Sequence, residues 1–177
     1  IVITALTVYV MKFVEPDESI DIKNAALGYT TTLVATDEEG NETEIATLHS
    51  QTIREWADLD QIPEHVRMAF VCAEDKRFYD HDGVDWKRTF AAFANLFLHF
   101  YSTKQGGSTI TQQLIKNITG EDDVSITRKF TEIFRAVNLE KVYSKDQILE
   151  SYLNLIPLDQ SIHGVQAASK YLSLIHI

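Results

Sequence analysis

The chain reads as a mainly α-helical domain preceded by a small β element. Three observations predict this. From Ile62 onward apolar residues recur at helical spacing: Val66, Ala69, Phe70 and Ala73, then Ile126, Phe130, Ile133, Phe134 and Val137. Helix-start chemistry punctuates that region. Asp85 can cap one helix and Ser108 or Thr109 another, while Ser144-Lys-Asp-Gln147 spells a capping box. Ahead of residue 62 the β-prone runs 30–36 and 44–48 flank Asp37-Glu38-Glu39-Gly40-Asn41, the spacing of a hairpin with a longer loop.

The 177 residues suffice for one domain with a proper core, and 45% hydrophobic content is that of a globular chain. The net charge of −10 is unevenly spread: residues 1–60 carry 12 acids against 3 bases, the remainder 14 against 13. An acidic N-terminal third and a near-neutral remainder argue against nucleic acid as a partner. A single cysteine, Cys72, rules out an internal disulfide or a cysteine metal cluster. Lying in an apolar run, it is expected to be a packed thiol.

Taken in order, residues 1–14 are apolar apart from Thr4, Thr7 and Lys12. They are too few to span a bilayer, which needs about 20. We read them as the end of a transmembrane anchor, against a signal-peptide core or a buried helix, with Lys12 near the interface. The acidic stretch 15–61, which contains the hairpin, is then a juxtamembrane connector, and 62–177 is the main domain. Pro63 suits a helix start, and that helix would deliver Glu74 and Asp75 at its C-terminal end, where the dipole disfavours carboxylates. After Asp85, residues 90–100 are apolar nearly all round, which means deep burial or contact with lipid. A helix from Ser108 or Thr109 should run to about Asn117. One from Ser125 should carry Arg128, Glu132 and Arg135 on its polar face. One from Ser144 to about Leu155 should bury Ile148, Leu149, Tyr152 and Leu153. Residues 164–171 should start another.

Two segments carry polar groups that a core does not ask for. One is Glu74-Asp-Lys-Arg-Phe-Tyr-Asp-His-Asp-Gly83; the other is Gly106-Gly-Ser-Thr-Ile-Thr-Gln-Gln113. Glu74 and Glu132 each lie among cations: Lys76 and Arg77 for the first, Arg128, Lys129 and Arg135 for the second. A carboxylate that takes a proton from an attacking hydroxyl, beside cations that receive a departing phosphate, is what sugar transfer requires. Glu132 paired with Arg128 reads equally as a surface ion pair worth about 0.3–0.5 kcal/mol. His81 with Asp80, Asp82 and Asp85 matches no established metal loop, and the histidine is expected to hold its own segment in shape. Thr109, Thr111, Gln112 and Gln113 open a helix with free N–H groups, and Lys116 follows Gln112 by one turn, an arrangement suited to an anion. These features suit a membrane-bound transfer reaction on a lipid-linked phosphosugar without uniquely demanding one.

The same residues closely resemble the peptidoglycan glycosyltransferases, the transglycosylase domain of class A penicillin-binding proteins and their monofunctional relatives. The first motif of that family is similar to Glu74-Asp75-Lys-Arg-Phe78-Tyr-Asp-His81-Asp-Gly83, the second to Gly107-Ser108-Thr109-Ile-Thr-Gln112-Gln113. The third resembles Arg128-Lys129-Phe-Thr-Glu132, the fourth Ile148-Leu-Glu150-Ser-Tyr152-Leu-Asn154, the fifth Gly164-Val-Gln-Ala-Ala168. The resemblance implies a lysozyme-like helical fold on the extracytoplasmic side of the bacterial cell membrane. It implies polymerisation of lipid II into β-1,4 glycan with release of undecaprenyl pyrophosphate. Carried over residue by residue, Glu74 is the general base and Glu132 the second carboxylate, with a role in orientation or metal assistance. Lys116, Arg128 and Lys129 face the donor pyrophosphate. Asp75, Phe78, His81, Ser108, Thr109, Gln112, Gln113, Glu150 and Asn154 complete the substrate site. No permanently bound cofactor is implied, only a divalent cation, Mg or Mn, assisting. The implied partners are lipid II, the growing lipid-linked glycan, the cytoplasmic membrane and the cell-wall synthesis machinery. Residues 90–101 fall where the family has a mobile membrane-associated jaw.

The chain departs from the family at Asp159 and Ser161, where glycines are common, and at His163, where an aromatic is. After Tyr171 the family continues Phe-Gly-Lys, and here Leu172-Ser-Leu follows. Residues 172–177 are accordingly expected to be a truncated or artefactual end. Two rival functions are a lysozyme-like glycan-cleaving enzyme and a non-catalytic, membrane-tethered glycan-binding module.

Overall fold

In a computed structural model the described residues are 20–22, 31–36, 42–48, 53–91, 107–120, 126–159 and 161–172. The anchor reading of residues 1–14, most of 90–101 and the tail after Leu172 lie outside them. Among the described residues no helix is long and apolar enough to cross a membrane.

Strands β1 (Thr31–Thr36) and β2 (Glu42–Leu48) pair antiparallel, with an irregularity where Leu33 faces Ala46 and Val34 faces Glu44. A two-residue strand β3 (Ile53–Arg54) pairs in parallel with β4 (Ile162–His163). The rest is helical: α1 (Glu64–Glu74), α2 (Ile110–Thr119), α3 (Ile126–Val142), α4 (Lys145–Leu155) and α5 (Val165–Tyr171), with residues 86–91 also helical.

The caps form where the local chemistry expects them. Asp85 Oδ1 accepts from the Arg88 N–H at 3.0 Å. Thr109 and Gln112 make a reciprocal capping box at α2, and Ser144 and Gln147 another at α4. α2 runs two residues beyond Asn117 and ends on Gly120 in the left-handed region. Ser125 lies outside the described residues.

The core centres on α4, whose Ile148, Leu149, Tyr152 and Leu153 are fully enclosed. α2 packs against both α3 and α4, contributing Ile110, Leu114 and Ile115. Burying each such aliphatic side chain stabilises the fold by about 1.5–3 kcal/mol. On α1 the apolar pattern misleads. Val66, Phe70 and Val71 pack on the core, whereas Ala69 and Ala73 are exposed. Cys72 is exposed too, so the expected packed thiol is corrected. The reason is that α1 is applied to the core along one edge. Small residues beside that edge satisfy a helical period without being covered.

Gly83 is the junction of the fold. Its φ of +82° lies in the left-handed region, and a Cβ there would meet the Ala136 carbonyl oxygen of α3 at 2.5 Å. Only glycine lets the chain adopt that turn and touch the α3 backbone. The Gly83 carbonyl in turn accepts from Thr109 Oγ1 at 2.6 Å. One residue thus fixes the loop after α1 against the start of α2 and the middle of α3.

Candidate active site

Glu74 is the last residue of α1 and lines an open cleft of about 440 Å³. The other walls are Ala73, Lys76, Arg77, Arg88, Ser108 and Gln113. Three cations therefore surround one carboxylate. Glu74 Oε2 accepts from Gln113 Nε2 at 2.8 Å. Gln113 Oε1 accepts from the Tyr152 hydroxyl at 3.1 Å. Burial, and secondarily the charge of Glu74, pushes the Tyr152 hydroxyl well above its ordinary pKa, so it remains a donor.

The neighbouring Asp75 is fully buried, and its position resolves the dipole objection. Its Oδ2 accepts from the Ile110 N–H at 3.1 Å, the first residue of α2. It sits past the negative end of α1 but at the positive end of α2, where a carboxylate is favoured by about 0.3–1 kcal/mol. His81 Nε2 lies 2.9 Å from the same Oδ2, and Arg88 Nη1 lies 3.7 Å from Oδ1. Arg88 also donates to the Glu74 carbonyl at 2.8 Å.

The loop between Asp75 and Asp85 is held from several sides. Phe78 is enclosed, with the Lys145 ammonium 4.4 Å from its ring centroid, and Lys145 donates to the His81 carbonyl at 2.6 Å. Burial opposes ionisation of Asp85. The Arg88 N–H, the Arg77 hydrogen bond, the Arg77 charge and His81 outweigh it and hold the carboxyl below its ordinary value.

Glu132 is not a surface partner of Arg128. It is only 6% exposed on the inner face of α3. Its Oε2 accepts from Arg128 at 3.1 Å and its Oε1 from Lys129. Lys129 Nζ also donates to Ser108 Oγ at 2.8 Å, and Ser108 lines the Glu74 cleft. Ser108 thereby joins the two carboxylate clusters.

Other sequence-predicted site residues lie inside the scaffold. Thr109 and Gln112 are buried and bonded to each other and, through Thr109, to Gly83. Thr111 donates to Glu140. Glu150 accepts from the Leu59 N–H at 2.9 Å. Asn154 accepts from the Ala57 N–H at 2.8 Å and donates to the Ala57 carbonyl at 2.9 Å. These last two tie residues 57–59 to α4. Lys116 is exposed one turn beyond Gln113 and is not among the residues lining this cleft.

His163, at the departure from the family pattern, sits in β4 with Nδ1 3.5 Å from Arg54 Nη2. Burial and the Arg54 charge lower its pKa against an opposing hydrogen bond with the Leu155 backbone.

Arg88 and Tyr152 were not singled out as site residues from the sequence. Arg88 follows the cap Asp85 by three residues, a position that turns a first-turn side chain back toward the preceding loop, and this was the available signal. Tyr152 reads simply as core. Among the described residues no group of three His, Cys, Asp or Glu side chains is placed to hold a metal. Glu132 already carries a cation on each oxygen. The described residues alone do not make a site for a resident Mg or Mn, and no step below is routed through one.

Comparison with known proteins agrees in direction. The family model described as Transglycosylase matches residues 41–173. The chain is 43% identical over 152 residues to penicillin-binding protein 1F of Bacillus subtilis, covering 86% of this chain and 20% of that protein. It is 37% identical over 171 residues to penicillin-binding protein 1A of Clostridium perfringens, 95% of this chain and 25% of that protein. It is 43% identical over 129 residues to penicillin-binding protein 1A of Clostridium tetani, 71% of this chain and 16% of that protein. The chain therefore spans a quarter or less of the length of these relatives.

Proposed function

The chain belongs to the transglycosylase family, and on that premise we propose that it polymerises the lipid-linked disaccharide of peptidoglycan, lipid II, into β-1,4 glycan. The observation that carries this reading is Glu74 in an open cleft among Lys76, Arg77 and Arg88, with Ser108 linking it to the Lys129–Glu132 pair. Glu74 takes the proton from the 4-hydroxyl of the acceptor sugar. That oxygen attacks the anomeric carbon of the donor with inversion, and the anomeric C–O bond to pyrophosphate breaks. Undecaprenyl pyrophosphate leaves with the electron pair.

Pyrophosphate is already a competent leaving group, so the protein's main electrostatic task is to receive its growing charge with fixed cations. Arg128, Lys129 and exposed Lys116 serve that end. Glu132 keeps Arg128 and Lys129 in place rather than reacting itself. Thr109 and Gln112 act through Gly83 and the α2 start, as positioning groups. Glu150 and Asn154 act one layer further away, by holding residues 57–59 on α4. The reading places the domain outside the cytoplasmic membrane, where lipid II and the cell-wall synthesis machinery would meet it.

Incubation of the intact protein with lipid II, and separately with preformed glycan, tests this directly. Polymer from the first is expected. Shortened fragments from the second, with none of the first, would establish a glycan-cleaving enzyme instead. Binding of glycan with neither reaction would establish a binding module.

A further inference from the structure

Tyr152 is enclosed in the core, yet its hydroxyl is the start of a hydrogen-bond chain that ends on the reacting carboxylate. The ring is held edge-on by Phe70, with centroids 6.3 Å apart. Phe70 precedes Glu74 by four residues, one turn along the same face of α1. The Tyr152 O–H donates to Gln113 Oε1, and Gln113 Nε2 donates to Glu74 Oε2. A glutamine amide can rotate end for end, presenting either N–H or C=O to a neighbour. Turned the other way, Gln113 would place its carbonyl oxygen against the Glu74 carboxylate, two acceptors facing each other. Among the described residues Glu74 Oε1 has no hydrogen-bond partner.

We propose that Tyr152 is a positioning residue for the reaction: its hydroxyl anchors the Gln113 amide, whose N–H the carboxylate itself selects, so that Gln113 holds Glu74 Oε2 and leaves Oε1 to take the acceptor proton. This rests on the reading of Glu74 as general base. The polarity of the chain runs one way, from hydroxyl to amide carbonyl and from amide N–H to carboxylate. Each bond in it therefore strengthens the next. The tyrosine ring is fixed by the α1–α4 packing, so the orientation of the base is set by the core and not by the open cleft.

Tyr152→Phe removes one oxygen and keeps the ring. In the intact protein acting on lipid II it should lower kcat about tenfold, the equivalent of one lost hydrogen bond in the transition state. KM should change little. Gln113→Met removes the amide from a half-buried position and should lower kcat in the same way. If both variants cut one chain, the double variant should be no slower than Gln113→Met alone. Ile148→Val, on the same helix and equally buried, is the packing control: it should lower the melting temperature and leave kcat unchanged at temperatures where the protein is folded.

A Tyr152→Phe protein with a lowered melting temperature but, at temperatures where it is folded, the kcat of wild type would show a purely structural tyrosine and overturn the proposal. So would additive effects in the double variant. Glu74→Gln separates the two levels. If it retains full polymerisation, the base assignment and this proposal fall together. If it is inactive while Tyr152→Phe matches wild type in kcat, only the proposal falls.

Discussion

Glu74 and Glu132 are the same side chain in opposite settings. Glu74 ends a helix, faces an open cleft and receives a single neutral N–H from Gln113. Glu132 lies within a helix, is buried, and has a cation on each oxygen. A neutral donor orients a carboxylate and leaves a lone pair for chemistry. Two cations fix a carboxylate as a counter-ion and fix themselves in return. The difference teaches that nearby cations alone do not mark a carboxylate as available for chemistry: among the described residues both oxygens of Glu132 hold cations, while Glu74 holds one neutral donor.

Mutations can break this contrast, and the largest effect is expected at Glu74. Glu74→Gln should lower lipid II polymerisation by about 10²–10⁴-fold, the usual contribution of a general base, with melting temperature near wild type. Polymerisation within threefold of wild type would remove Glu74 from the base role. Glu132→Gln should differ in kind, reducing both activity and stability. Leaving Arg128 and Lys129 without their counter-charge should cost about 1–3 kcal/mol, below the figure for a fully buried pair because both cations are partly exposed. Chemical denaturation measures this, and an unchanged midpoint would mean that the pair contributes nothing.

Gly83→Ala tests whether the two carboxylates depend on one junction. The left-handed backbone and the contact with Ala136 should together destabilise by about 1–3 kcal/mol or more. Activity should fall at temperatures where the protein is still folded, because the loop after Glu74 must move away from the Glu132 helix. Full activity with lowered stability would show that the junction only supports the fold.

The smallest effect concerns acid. Asp85 has a folded pKa below its ordinary 3.8, so its stabilisation is complete above that value. It is lost as pH falls through the lower folded value. Asp85→Asn should flatten the fall in stability below about pH 4 in thermal scans. A curve as steep as wild type would assign the acid sensitivity elsewhere.

Much of the fold is legible in the sequence because its determinants are local. The Thr109–Gln112 and Ser144–Gln147 boxes and the Asp85 cap each join residues three positions apart. The buried stripe of α4 repeats within one helix. Glu74 is likewise legible as a candidate, because it opens a polar run that a core does not ask for, and the five motifs carry the family. Residue type alone misassigns the depth of several groups. Thr109, Gln112, Glu150 and Asn154 look like substrate ligands, being polar in motif positions, yet they close bonds inside the scaffold. Cys72 and Ala73 look like core, yet α1 turns them outward.

The sequence by itself therefore determined the helical class, the caps and the two candidate carboxylates. Each of these depends on neighbours within a turn or two. Only the tertiary structure decided which carboxylate, among the described residues, keeps an oxygen without a partner, that Asp75 belongs to the start of α2, and that Tyr152 reaches Glu74 through Gln113. Those contacts join residues 35 to 39 positions apart. Asn154 and Ala57 are 97 apart. A hydrogen bond at such separation is set by how helices pack, and that is a property of the whole core rather than of any segment.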